Sequence, residues 1–225
     1  MTNAKIGMLV CITLSLNSAG VQAQKGVEHF NISLFCNTDS LKGANLSILT
    51  NAIKKDMQGV QISALNNFAT KGNGIQIGMF SNASTSTFKG IQLAGISNVS
   101  MGMKRGIQLA GAANICSSSM RGIQTAVYNY ADTLNGSQIG LFNACISHPR
   151  GVQIGIINYS RDMVAHKIGL VNVNPKTRID LLSYIGTSTK LNMALRFRNR
   201  STYNIIGIGT HYMGLDSKFS GALFY

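Results

Sequence analysis

Apolar and polar positions alternate along most of this chain within a short phrase, which recurs at intervals of 14 to 16 residues between Asn31 and Asn172. In each copy an amide residue lies inside an apolar stretch, and an Asn follows it five or six positions later. The clearest copies are GVQISALNN from Gly59, GIQIGMFSN from Gly74, GIQLAGISN from Gly90, GIQLAGAAN from Gly106, GIQTAVYN from Gly122, GSQIGLFN from Gly136 and GVQIGIIN from Gly151. Degenerate copies are NISLFCN from Asn31, GANLSILTN from Gly43 and AHKIGLVN from Ala165, where Lys167 takes the Gln position. A fixed period of this kind is typical of an array whose units bury their apolar faces against one another.

Each unit has the pattern of a β-strand between two corners. Val152, Ile154 and Ile156 alternate with polar or small residues, which predicts a strand with the apolar residues inward and the Gln outward. A further apolar residue, two positions before the leading Gly, is also expected inward. It lies three residues from the next inward position and so breaks the alternation, which requires the chain to turn at the Gly. The Asn suits the second corner, because Asn tolerates a left-handed backbone and can bond to its own backbone. The further inward positions are Leu41, Met57, Phe88, Met120 and Leu134.

Two architectures fit this unit: a parallel β-solenoid of about ten coils, or an antiparallel outer-membrane β-barrel whose strands are the repeats. The spacing from the amide to the Asn favours the solenoid. It is six residues in every copy up to the one containing Gln108 and five in every copy from Gln124 onward. Such segregation is expected where each coil rests in register on the last, since a longer corner must be matched by its neighbour. Ten coils at the strand spacing would form a rod about 48 Å long.

The repeats end near Pro175, and the sequence divides into three parts. Residues 1–23 are predicted to be a secretory signal peptide, because Lys5, a short apolar run and Val21-Gln22-Ala23 occur in the expected order. Residues 24–174 form the repeat domain. Residues 175–225 are expected to form a short antiparallel β-meander, either a cap on the last coil or the start of a membrane-associated β-domain. Its predicted strands are Arg178 to Gly186, Leu191 to Arg198, Tyr203 to His211 and Lys218 to Tyr225.

Charge adds a candidate ligand site. The chain carries 20 Lys and Arg against 7 Asp and Glu, a net charge of +13 that favours anionic partners. On a solenoid, the basic residues that precede the leading Gly would form one stripe, which we interpret as a possible site for an anionic glycan, lipopolysaccharide or the outer-membrane surface. Charged corners that only keep the rod soluble are the alternative. The stripe comprises Lys42, Lys89, Arg105, Arg121 and Arg150.

The amide column has a structural interpretation. Stacked parallel strands can form ladders of side-chain amides, and we expect such a ladder here, with an outward glycan-binding face as the less favoured interpretation. Its members are Gln61, Gln76, Gln92, Gln108, Gln124, Gln138 and Gln153.

Other chemistry has little support in the sequence. A polysaccharide lyase or hydrolase would need paired carboxylates, but no two of the seven acids occupy the same phase of adjacent coils. No cofactor or metal is predicted, since the His and Cys residues lack ligand spacing. Aromatic residues do not interleave with the basic ones, so nucleic acid is not an expected partner. Cys36, Cys116 and Cys145 are interpreted as small buried apolar residues, because a whole unit separates the last two. The pattern specifies no oligomeric state.

The phrases GVQIGIIN, GSQIGLFN and KIGLVNVN resemble the GLQIGLVN-type repeats of a surface-repeat family of Gram-negative cell envelopes. The resemblance covers about Asn31 to Asn174, and the segment from Ile179 to Tyr225 is similar to the β segment that follows the array in such proteins. The family implies surface or outer-membrane association and no established enzymatic activity.

Overall fold

The repeats form a parallel β-solenoid of about eight turns, followed by an antiparallel sheet. The computed structural model describes residues 24–161, 166–186, 191–198, 203–210 and 219–224. The proposed signal peptide lies outside the described residues. The predicted all-β solenoid class is confirmed, although the turns are fewer than the ten phrase copies. The end copies are irregular, since the first two lie within one long strand and the last spans two strands of three residues.

Ten strands belong to the solenoid sheet, and four form the C-terminal sheet. The solenoid strands are β1 Gln24–Ser63, β2 Asn66–Gly78, β3 Ser81–Ala94, β4 Ser97–Ala110, β5 Ala113–Thr125, β6 Tyr128–Ile139, β7 Phe142–Ile154, β8 Ile157–Ser160, β9 His166–Ile168 and β10 Val171–Val173. The C-terminal strands are β11 Arg178–Tyr184, β12 Leu191–Arg198, β13 Tyr203–Thr210 and β14 Phe219–Phe224.

Successive solenoid strands pair in parallel with equivalent residues opposite one another. Gln76 lies opposite Gln92, and Gln92 lies opposite Gln108. The antiparallel alternative for the repeats is therefore wrong. The C-terminal sheet is antiparallel in the order β11-β12-β13-β14, as the strand spacing predicts. It contacts the last turn of the solenoid, where the Asn204 side chain donates to the carbonyl of Leu170.

The leading glycines turn the first corner. Gly90 and Gly122 have φ of 126° and 131°, which residues with a Cβ rarely adopt. A Cβ on Gly90 would also lie 1.9 Å from the carbonyl oxygen of Gly74 in the previous turn. The corner therefore requires glycine both for backbone angle and for close stacking, as the sequence indicates.

The expectation for the Gln strand, apolar inward and amide outward, is wrong. All seven Gln side chains of the ladder are completely buried, whereas Ile154 and Ile156 are 40% and 44% exposed. The apolar residues two positions before the Gly are buried as expected, among them Phe88 and Leu134. The interior of the rod is thus part hydrocarbon and part amide, and the flanks of the Gln strand are apolar on the outside.

The buried Gln side chains satisfy one another along the rod. Each Nε2 donates to the Oε1 of the Gln in the preceding turn, over 2.7 to 2.9 Å, from Gln76 onto Gln61 through to Gln153 onto Gln138. Several Nε2 groups also donate to a backbone carbonyl six residues on, as from Gln138 to Ala144. Because a buried amide is costly only when it lacks partners, stacking makes Gln an acceptable core residue.

A second ladder of Asn side chains turns the other corner. Each Nδ2 donates to the Oδ1 of the Asn in the following turn, over 2.8 to 3.0 Å, from Asn51 through to Asn172. The same Nδ2 donates to a strand carbonyl of that turn, as from Asn98 to Leu109. The Asn therefore works through its side chain, and it lies in the strand after a two-residue bend. The N–H groups of the Asn ladder point toward the C-terminus of the rod and those of the Gln ladder toward its N-terminus.

The change in amide-to-Asn spacing is visible as a change of hydrogen bond. With the six-residue spacing, the Asn also donates to the carbonyl of the Gln six residues earlier, as from Asn98 to Gln92. With the five-residue spacing, it donates to a bend carbonyl three residues earlier, as from Asn129 to Ala126. Each turn rests on one of its own kind except at the single junction between Asn114 and Asn129, which accords with in-register stacking.

Lys167 ends the Gln ladder. It lies opposite Gln153 in the parallel register, and its Nζ donates to the carbonyl of Val173, six residues on, as a ladder Gln would. Gln153 Oε1 is buried and has no hydrogen-bond partner among the described residues. Burial lowers the pKa of Lys167 from 10.5 to about 8. The last rung thus half-buries a charged amine and leaves a buried amide oxygen without a donor among the described residues.

We predict that Gln108→Leu lowers the free energy of unfolding by about 2 to 4 kcal/mol. The change leaves the buried Gln92 Oε1 without its donor and one Nε2 hydrogen of Gln124 without its acceptor, while the other still donates to the Tyr130 carbonyl. Each orphaned group costs about 1 to 3 kcal/mol. Denaturant unfolding followed by far-UV circular dichroism measures the loss. Gln58→Leu is the matched control, because Gln58 is exposed, and it should change stability by less than about 0.5 kcal/mol. Equal effects of the two changes would contradict the ladder's contribution.

We predict that Lys167→Gln stabilises the protein by about 1 kcal/mol at pH 7, since it removes a half-buried charge and supplies an amide to Gln153 Oε1. A lowered pKa means that the unfolded chain binds more protons between pH 8 and 10.5, so wild-type stability should rise with pH through that window. The gain in unfolding free energy from Lys167→Gln should therefore be largest below pH 8 and decrease as the pH rises above 8. Lys176→Gln, at an exposed site, is the control, and a pH-independent difference would contradict the assignment.

Candidate anion-binding site

The predicted basic stripe is one column on the outside of the rod, at the corner before the leading Gly. The register places Lys89 opposite Arg105, and the pairing of Gly106 with Gly122 brings Arg121 to the next rung. Asn135 separates Arg121 from Arg150, and uncharged Asn73 and Gln58 separate Lys89 from Lys42. At about 4.8 Å per turn, Lys42 lies about 14 Å from Lys89. The structure therefore brings together the central three of the five predicted residues, while Lys42 and Arg150 stand apart.

A surface groove of about 500 Å³ runs beside these three residues. Lys104 also lines it, although this lysine does not directly precede a leading Gly and is not among the five predicted residues. The register shifts between Phe88/Met103 and Lys89/Arg105, so Lys104 is the extra residue of a β-bulge and lies outside beside Arg105. The bulge thus aims two consecutive cations into one groove. The complete lining is Thr87, Lys89, Gly102, Met103, Lys104, Arg105, Ser118, Ser119 and Arg121.

The groove concentrates positive charge without compensating acid. Lys89, Lys104, Arg105 and Arg121 are exposed, and none of them belongs to the ion pairs of the described residues. No acidic side chain is among the groove residues. Two lysines elsewhere on the rod are paired, Lys55 with Asp39 at 3.1 Å and Lys71 with Asp56 at 3.8 Å. Asp56 lies in a neighbouring depression that Lys89 and Lys104 also line, but it is paired with Lys71. Mutual repulsion of the four cations is therefore relieved mainly by ions or ligands from solution.

The chemistry of the groove suits phosphate, carboxylate or sulfate groups. Two arginines can form paired hydrogen bonds with such oxyanions, and two lysines add point charges. Hydroxyls of Thr87, Ser118 and Ser119 add neutral donors at the same surface. Only the turn-by-turn register could have identified these hydroxyls, because serine and threonine are common in every repeat.

The cysteines and acids of the described residues are not among the residues that line this groove. The thiols of Cys116 and Cys145 are buried two turns apart, with Ala131 between them, and burial raises the pKa of Cys116. Asp180 pairs with Arg196 at 2.8 Å in the C-terminal sheet. Among the described residues, no group of three or more His, Cys, Asp or Glu could hold a metal ion. No described helix is long and apolar enough to cross a membrane.

Comparison of this chain with protein-family models, with curated proteins and with solved structures gives no match.

Proposed function

We propose that this chain is an exported cell-envelope repeat protein that serves as a structural or binding module, and that its cationic groove binds anionic glycan such as the phosphorylated sugars of lipopolysaccharide. The observation that carries the proposal is the uncompensated cluster of Lys89, Lys104, Arg105 and Arg121 on successive turns. Parallel stacking places the backbones of successive turns about 4.8 Å apart, so these side chains leave the rod at regular intervals. A polymer with repeated anionic groups can then contact several rungs together.

The proposed role is binding rather than catalysis. Four cations and three hydroxyls supply hydrogen-bond donors and charge, but the groove lining contains no carboxylate, imidazole or thiol to move a proton or attack a substrate. All four cations are exposed. Each should therefore add little to the binding free energy by itself, and its contribution should fall as the salt concentration rises. Affinity is then expected from the number of rungs engaged together.

We predict that replacing Lys89, Arg105 and Arg121 together by Gln weakens binding to lipopolysaccharide oligosaccharide at least tenfold in low salt. The ligand should be deacylated but still phosphorylated, so that only sugar and phosphate contacts are measured. Isothermal titration at two salt concentrations gives the affinity, and the wild-type affinity should fall as salt rises because exposed charges are screened.

The matched control replaces Lys54, Arg161 and Lys176 by Gln, which removes the same charge from exposed positions that lie outside the 500 Å³ groove and outside the ion pairs of the described residues. This variant should keep its affinity within about threefold, since it loses only long-range attraction. Equal losses in both variants would reduce the binding to net charge. An unchanged, salt-insensitive affinity in the groove variant would contradict the proposal.

We predict that the chain, expressed in a Gram-negative host, is recovered outside the cytoplasm with Gln24 as its first residue. The expected processing follows from the signal-peptide pattern of residues 1–23. Cell fractionation with N-terminal sequencing measures both outcomes. Replacing the apolar run between Ile6 and Leu16 by polar residues should leave the chain in the cytoplasm, and a mature protein that keeps Met1 would contradict the export assignment.

A further inference from the structure

One side of the rod is apolar on its outer surface, which follows from the burial of the Gln column. In each turn the residues before and after the Gln face outward, and a third outward position lies in the bend. The residue after the Gln is 38% to 41% exposed at Ile62, Leu109, Ile139 and Ile154. In the bend column, Phe80, Ile96, Val127, Leu141 and Ile156 are 44% to 49% exposed. We call these three columns, on turns starting at Gly59 through Gly151, the apolar side.

The apolar side is continuous along the rod, and its polar members are Thr125 and Ser137. Equivalent residues lie opposite one another from turn to turn, as Ile77, Leu93 and Leu109 do. Seven turns about 4.8 Å apart, across a width of roughly 13 Å, give an area of about 400 Å². That matches the largest apolar patch on a typical monomer, which often has a function. No Lys, Arg, Asp or Glu interrupts these columns.

The cationic column borders this side directly. Arg105 is followed by the corner Gly106 and then by outward-facing Ile107, and Lys89 and Arg121 precede Ile91 and Ile123 in the same way. A surface with apolar residues on a flat face and Lys or Arg along its edge is the arrangement by which proteins lie in a membrane interface. The apolar face then enters the acyl boundary while the cations meet anionic headgroups.

Charge favours a bilayer over a second copy of the chain as the occupant. The net charge is +13, and the cations at the edge of the apolar side have no acidic partners among the described residues. Two antiparallel rods meeting through this side would bring two uncompensated cationic columns together, whereas an anionic bilayer meets the same column with opposite charge. A shallow apolar groove of about 370 Å³ lies on this side around Leu93 and Leu109.

We propose that the apolar side docks on an anionic lipid bilayer, with Lys89, Arg105 and Arg121 at the level of the headgroup phosphates. The inference rests in part on the proposed function, since it uses the same cations, but the apolar columns are a separate observation. The solenoid would lie with its long axis in the plane of the membrane and its C-terminal sheet at one end. Its binding energy would come from apolar contact that soluble glycan cannot provide.

The test is flotation of the mature protein, with its solenoid and C-terminal sheet together, with vesicles of phosphatidylethanolamine and phosphatidylglycerol. The variant replaces one column of the apolar side by threonine, which the native chain already has in that column at Thr125 and which suits a strand. The changes are Ile77→Thr, Leu93→Thr and Leu109→Thr. We expect at least a tenfold fall in vesicle partitioning, with unchanged binding of deacylated lipopolysaccharide oligosaccharide.

The matched control carries three apolar-to-threonine changes on the next side of the rod, namely Val99→Thr, Met101→Thr and Ile115→Thr. It should partition within about twofold of the wild type, and circular dichroism checks that both variants are folded. Wild-type protein that does not float with anionic vesicles, or equal losses in both variants, would overturn the proposal. A third result would also overturn it: the wild type is a dimer, and the column variant is a monomer that partitions onto vesicles as the wild type does. A second copy of the chain would then cover the apolar side.

The two proposals can fail separately. Loss of oligosaccharide binding in the Gln variant of Lys89, Arg105 and Arg121 supports the glycan site whatever the vesicles do. One outcome is partitioning that depends on the apolar column yet is as strong on neutral phosphatidylcholine vesicles as on anionic ones. That result would overturn the placement of the cations at the headgroup phosphates. Partitioning that needs both the anionic lipid and the apolar column supports the docking mode.

Discussion

The fold depends on side-chain amides that hydrogen-bond to copies of themselves along the rod. A buried Gln or Asn carries two donors and an acceptor, and an irregular core rarely satisfies all of them. In this solenoid the next turn presents the same group at the strand spacing, so each amide finds a donor and an acceptor by translation alone. Register, corner geometry and the direction of the neighbouring side chains all follow from keeping these contacts in line. A shift of one residue in any turn would break both ladders together.

The two ladders run in opposite directions, and this limits their electrostatic cost. A chain of amide dipoles pointing one way would build up potential at its ends, as helices do. Here the Gln dipoles from Gln61 to Gln153 oppose the Asn dipoles from Asn51 to Asn172. Within each chain, hydrogen bonds in a low-dielectric interior also polarise one another favourably. The amide interior is therefore satisfied along the ladders up to the unpartnered Gln153 Oε1 among the described residues, and the dipoles of the two ladders partly cancel.

The sequence predicted the solenoid, the glycine corners and the four C-terminal strands, because periodicity and turn residues are local signals. It predicted the wrong side for Gln92 and its equivalents, because alternation does not tell which face is inward. We assigned the apolar face to the core because burying an amide usually costs free energy. In a repeat the next turn supplies the hydrogen-bond partner, which removes that cost. Lys104 was missed as a partner of Arg105 for another reason: the bulge that brings it into the groove depends on pairing with the neighbouring turn. Lys42 and Arg150 were assigned to the same stripe because they occupy the same position of the repeat. The uncharged residues on the turns between them and the central three cations separate them from the groove.

The change from six-residue to five-residue corner spacing also limits how this rod can vary in length. Within either block, a whole turn can be duplicated or deleted and its neighbours still find a matching corner, so such events should leave the hydrogen bonds intact. The junction between Asn114 and Asn129 is different, because there the third bond of the Asn changes partner. Duplicated copies of this junction would force the two corner types to alternate. The rod therefore consists of two blocks of turns that can each change in length independently, joined at one junction that can occur only once.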